Sequence, residues 1–97
     1  MPYAGGLTIE TIDHKNCFVR DYKKLSNSYK DLADNKLKDL LKNPMPRGLR
    51  FEKLQGHSHP DIYTIHLDGN YKISFEVNGS HATLRRVGTH NKIDRTP

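Results

Sequence analysis

Glu52, His66, Lys72 and His90, with Arg50 beside them in sequence, supply a carboxylate, two imidazoles and two cations. Metal-free cleavage of an RNA backbone asks for such a set. A base takes the 2′-hydroxyl proton, cations balance charge growing on the phosphate, and an acid protonates the leaving 5′-oxygen. The groups must also share a surface, and period-2 arithmetic places most of them on one. In Tyr71–Val77, Tyr71, Ile73, Phe75 and Val77 fall on one face and Lys72, Ser74 and Glu76 on the other. Tyr63, Ile65 and Leu67 likewise turn away from Ile62, Thr64 and His66, and Leu49 and Phe51 turn away from Arg50 and Glu52. The expected arrangement is an open sheet face bearing Arg50, Glu52, His66 and Lys72, with His90 reaching it from just beyond the last strand. Spacing alone does not separate this set from an ordinary solvated sheet face.

The elements that must carry these residues follow from the hydrophobic periods. Residues 7–12 alternate apolar with polar and are rich in β-branched types, which suits a first strand. Asp13 is then positioned to cap a helix bearing Phe18, Tyr22 and Leu25. A second helix is expected from near Ser28, whose spacing to Asp31 resembles a capping box, through Leu32, Leu37 and Leu41. Asn43-Pro44 and Pro46 end it, since proline lacks the amide a helix interior needs.

Beyond Gly48 the period becomes 2, with strands expected at 49–54, 62–67, 71–77 and 81–87. Asp68-Gly69 and Asn78-Gly79 join the last three as hairpins. Val87 breaks the parity set by Ala82 and Leu84, which a bulge near Arg86 would repair. The predicted fold is α+β, in the order β-α-α-β-β-β-β: two N-terminal helices on one face of a small twisted antiparallel sheet.

Ninety-seven residues make a single domain, 1–97. Sixteen Lys and Arg against eleven Asp and Glu leave +5, spread through the chain rather than held in a tail, which points to an anionic partner. No window approaches the roughly 20 apolar residues of a bilayer crossing, so no membrane partner is expected. Met1–Glu10 lacks the pattern of a secretory signal. The single cysteine, Cys17, allows no internal disulfide or cysteine-based metal cage and suits a reducing, cytoplasmic setting. His57-Ser58-His59 has a ligand-like spacing but no clear third ligand, so neither metal nor cofactor is expected.

The stretches Gly48–Gly56, Ile62–His66, Asn70–Glu76 and Leu84–His90 together resemble the RelE/ParE toxin superfamily of bacterial toxin–antitoxin systems. The resemblance covers most of the chain and lies closest to YoeB-, YafQ- and RelE-like members. It implies a type II toxin that cleaves mRNA on the ribosome without metal and is silenced by a cognate acidic antitoxin. DNA would be met only indirectly, through the antitoxin complex. On this resemblance Glu52 matches a general-base glutamate, Lys72 stands where relatives place a phosphate-binding arginine, and His66 and His90 match catalytic histidines. Arg50, Lys53, Arg85 and Arg86 are the implied substrate-binding cations, and either Glu52 or a histidine is the implied base.

Two departures stand out: lysine at 72 lacks the bidentate fork of arginine, and 91–97 replaces the C-terminal helix and its tyrosine. Two rival implications share the fold: a ParE-like, non-catalytic inhibitor of DNA gyrase, and an inactive member that acts only through complex formation. Glu52 and His90 together favour the nuclease.

Overall fold

The computed structural model describes residues 8–42, 46–54, 56 and 61–97. Leu7, the Asn43-Pro44 helix stop and the His57/His59 pair lie outside the described residues. Strand β1 (Thr11–His14) leads into helices α1 (Asn16–Lys23) and α2 (Asn27–Leu40). A 3-10 turn at Arg47–Leu49 precedes β2 (Glu52–Lys53), β3 (Ile62–His66), β4 (Tyr71–Asn78), β5 (His81–Thr89) and α3 (His90–Arg95). The five strands form one sheet in the order β1-β5-β4-β3-β2.

The expected α+β architecture is present, with a mixed rather than wholly antiparallel sheet. β2 to β5 are antiparallel neighbours, but β1 runs parallel to β5, Thr11 opposite His81 and His14 opposite Leu84. That pairing also moves the expected helix start. The ladder carries the strand through Asp13, and Lys15 N–H still donates to the Leu84 carbonyl at 2.9 Å. Asp13 therefore lies in β1, its carboxylate accepting from His14 N–H, and Lys15 takes the N-cap position of α1 without a side-chain bond. At the next corner Ser26, not Ser28, caps α2 by accepting from Tyr29 N–H at 3.3 Å. Capping there adds half a turn to α2 and leaves only Lys24, Leu25 and the cap Ser26 between the helices.

On the face covered by α1 and α2 the parity prediction holds. Phe18, Ala33 and Leu40 from the helices join Leu49, Ile65, Leu67, Ile73, Phe75, Ala82, Leu84 and Val87 in one buried core, with Tyr63 and Tyr71 packed against it. The parity break in β5 is a bulge. Phe75 pairs with Leu84 and Ser74 with Arg86, so Arg85 is the extra residue and both Leu84 and Val87 face the core. Both hairpins form. Asn78-Gly79 uses the left-handed φ of +64° at Gly79, whereas the β3–β4 turn is held by the Asp68 carboxylate, which accepts from Asn70 and Tyr71 N–H at 2.8 and 2.9 Å.

The strand expected over 49–54 shortens to Glu52–Lys53. Leu49 is drawn into the core at the end of the 3-10 turn, and Arg50 then adopts a left-handed φ of +52° that interrupts extended backbone. A side-chain-bearing residue held there costs roughly 1 kcal/mol, so the surrounding packing must enforce it.

The sheet's other face is not open, as parity alone suggested. Thr64, His66, Lys72 and Ser74 are all buried. The tail expected to lack a helix supplies α3: Thr89 caps it by accepting from Lys92 N–H at 3.4 Å, and Ile93 is fully buried without belonging to the main core. Among the described residues no helix is long and apolar enough to cross a membrane.

Candidate active site on the outer sheet face

β3 and β4 set the centre of the site, since His66 and Lys72 are direct cross-strand partners. Glu52 pairs with Thr64, two residues from His66 on the same face, and so is its diagonal neighbour. Its Oε1 lies 3.5 Å from His66 Nε2, beyond the usual hydrogen-bond distance. The Glu52 side chain is 53% exposed and that of His66 only 10%, so a carboxylate open to solvent abuts a buried imidazole.

His90 arrives from the opposite side. As the first residue of α3 it sets its ring edge-on to His66, with centroids 4.6 Å apart and planes at 85°. A relay of hydrogen bonds fixes it. The Tyr29 hydroxyl of α2 donates to Asp68 at 2.6 Å, Asp68 holds the β3–β4 turn, and the Asn70 carbonyl of that turn accepts from His90 N–H at 2.9 Å. A cavity of about 460 Å³ opens beside His90, lined by Asn70, Tyr71, Thr89 and Asn91.

Burial is the main reason that the His66 pKa falls below the ordinary value of 6.5. The positive charges of Arg50 and His90 push it the same way, against the attraction of Glu52. His66 is therefore a neutral imidazole at pH 7, able to accept a proton. The unpartnered polar atoms make the same region unusual. Thr64 Oγ1, His66 Nε2, Ser74 Oγ and His90 Nε2 are the buried side-chain N and O atoms without a hydrogen-bond partner among the described residues. All four belong to this patch, for Thr64 and Ser74 are cross-strand partners beside the His66–Lys72 pair. Each such atom costs about 1–3 kcal/mol, so the patch is polarity kept at the expense of stability.

Of the residues expected from sequence, Glu52, His66, Lys72 and His90 converge, and Arg50 is near enough to act on His66 electrostatically. Lys53, Arg85 and Arg86 are not brought to the cluster. Lys53 pairs with Asp61 at 3.4 Å. Arg85 binds Glu76 at 2.5 Å and the Pro97 carbonyl at 3.2 Å. Arg86 holds the buried Asp21 at 2.8 Å, where the β5 backbone also donates through Val87 N–H. Burial alone would raise the Asp21 pKa, but the Arg86 hydrogen bond, Val87 N–H and the charges of Arg86 and Lys92 hold it below its usual value. These arginines have structural partners, which parity could not reveal because the bulge splits their directions.

Sequence reasoning missed Asp94. Its Oδ1 lies 2.5 Å from Lys72 Nζ. The signal for α3 was present in Thr89, a capping residue at the end of a strand, and Ile93, the lone apolar residue of the tail. Among the described residues no three His, Cys, Asp or Glu side chains are grouped to hold a metal ion.

The sequence matches no family model and no curated protein. Solved structures do match. A chain of the E. coli DinJ-YafQ toxin-antitoxin complex superposes with a TM-score of 0.72 at 19% identity, over 88% of this chain and 98% of that one. A chain of the RelB-RelE antitoxin-toxin complex from Methanococcus jannaschii gives 0.64 at 28% identity, over 88% and 99%. A chain of the archaeal RelE-RelB complex from Pyrococcus horikoshii OT3 gives 0.65 at 18% identity, over 89% and 99%. The chain has the fold of the RelE-like toxin superfamily. Within this RelE-like fold, Glu52, His66, Lys72 and His90 lie on the sheet face opposite α1 and α2.

Proposed function

We propose that this RelE-like chain is the toxin of a type II toxin–antitoxin system and acts as a ribosome-dependent, metal-independent endoribonuclease on mRNA. The convergence of His66, His90, Glu52 and Lys72 on one sheet face supports this reading most strongly. Neutral His66, or Glu52 beside it, takes the 2′-hydroxyl proton, and the 2′-oxygen attacks the adjacent phosphorus. Lys72 and Arg50 balance the charge that develops on the phosphate oxygens. His90 gives a proton to the departing 5′-oxygen, leaving a 2′,3′-cyclic phosphate and a 5′-hydroxyl. A +5 chain also suits an acidic antitoxin and the ribosome as partners.

The reading is tested by adding the protein to translating ribosomes and mapping mRNA ends by primer extension, with gyrase-dependent DNA breakage assayed in parallel. New mRNA 5′ ends that appear only with ribosomes present are expected. Intact mRNA together with gyrase-dependent DNA breaks would overturn the nuclease reading in favour of a gyrase inhibitor.

A further inference from the structure

Lys72 carries the charge that the proposed reaction needs at the phosphate, yet its side chain is only 7% exposed. A buried ammonium must be paired, and the partner observed is Asp94 of α3, itself 49% exposed. The pair differs from an ordinary structural ion pair in what surrounds it. It lies beside Ser74 Oγ, His66 Nε2 and His90 Nε2, which have no hydrogen-bond partner among the described residues, so the Asp94 carboxylate is the anion that meets Lys72 within a buried polar patch. The element that brings Asp94 there is short. α3 has six residues, too few to persist by helix propensity alone, and is held by the Thr89 cap, buried Ile93, the Lys72–Asp94 pair and the Arg85–Pro97 hydrogen bond.

We propose that Asp94 occupies, on Lys72, the place of a phosphate oxygen of bound RNA, so that substrate gains Lys72 only by displacing Asp94. This inference rests on the reading of the outer face as an RNA-cleaving site. In the free protein the carboxylate neutralises Lys72 and closes it to other anions; with RNA bound, α3 shifts and a phosphate takes over the pair. A ligand that competes with an internal anion binds more weakly than it would to the bare lysine, by the free energy of breaking that contact.

The test is the affinity of a short 2′-O-methyl RNA, which cannot be cleaved, for wild type, Asp94→Asn, Lys72→Met and the double variant, each checked for native circular dichroism. Asp94→Asn is expected to bind about tenfold more tightly than wild type, the scale of a typical coupling between competing contacts. The double variant should lose that gain. In wild type, amide exchange at Ile93–Arg95 should quicken when RNA is added, a readout that needs no variant to fold. Equal or weaker binding by Asp94→Asn, while Lys72→Met still weakens wild type, would overturn the displacement and leave the RNA site standing. No RNA binding by folded wild type or Asp94→Asn would overturn the displacement, whereas the RNA reading itself falls only if mRNA stays intact on translating ribosomes.

Discussion

The two faces of the sheet are built to opposite rules. Beneath α1 and α2, Ile73, Phe75, Leu84 and Val87 meet Phe18, Ala33 and Leu40 in an apolar core. Across the same strands, one residue away, Ser74, Lys72, Thr64 and His66 are equally hidden from water but polar, and three of the four leave a side-chain atom unpartnered. Alternation along β4 therefore separates an apolar core from a buried polar patch at single-residue spacing. The inner face is apolar, and the outer face buries polar groups that the protein's own side chains leave partly unpartnered.

That contrast can be broken first on the inner side. Phe75→Ala removes a fully buried ring and should cost about 3–5 kcal/mol, read as a fall in urea midpoint. Next comes Asp21→Asn, which removes the charge that pairs with Arg86, replaces one of its acceptor oxygens with an NH2 donor, and should cost roughly 3 kcal/mol. This variant should also flatten the acid limb of stability. The folded-state pKa of Asp21 lies below its unfolded value near 3.8, so its contribution is present above that value and is lost as pH falls through the folded pKa. An unchanged acid midpoint would contradict the assignment.

The outer face sharpens the contrast with the opposite sign. Thr64→Val removes an unpartnered hydroxyl at constant shape and should be neutral or stabilising by about 1 kcal/mol. A loss of more than that would mean that the hydroxyl has a partner in solution. The smallest effect is spectroscopic. His66 should titrate below 6.5 by NMR, and Glu52→Gln should lower its midpoint further by removing the one attraction that favours imidazolium.

Much of this was legible in the sequence, because alternation is a local signal. Ile73 and Phe75 against Lys72 and Ser74 follow from the pleat alone, and Glu52, His66 and Lys72 fall together once the strands are registered. What was not legible depended on tertiary partners. Whether β1 pairs parallel to β5 depends on where the chain re-enters the sheet, and whether the outer face is open depends on a helix of six residues whose stability is mostly packing. The resemblance implies Arg85 and Arg86 among the substrate-binding cations. A one-residue bulge sends one to Glu76 and the other to Asp21.

The central claim, that the outer face performs acid–base cleavage, is tested most directly by single-turnover mRNA cleavage on translating ribosomes with His90→Ala, His66→Ala and, as the inner-face control, Val87→Ala. The account predicts that each histidine variant keeps near wild-type stability and loses about a hundredfold or more in rate. Val87→Ala should lose stability and still cleave at the wild-type rate below its unfolding temperature. Wild-type cleavage rates in both folded histidine variants would contradict it.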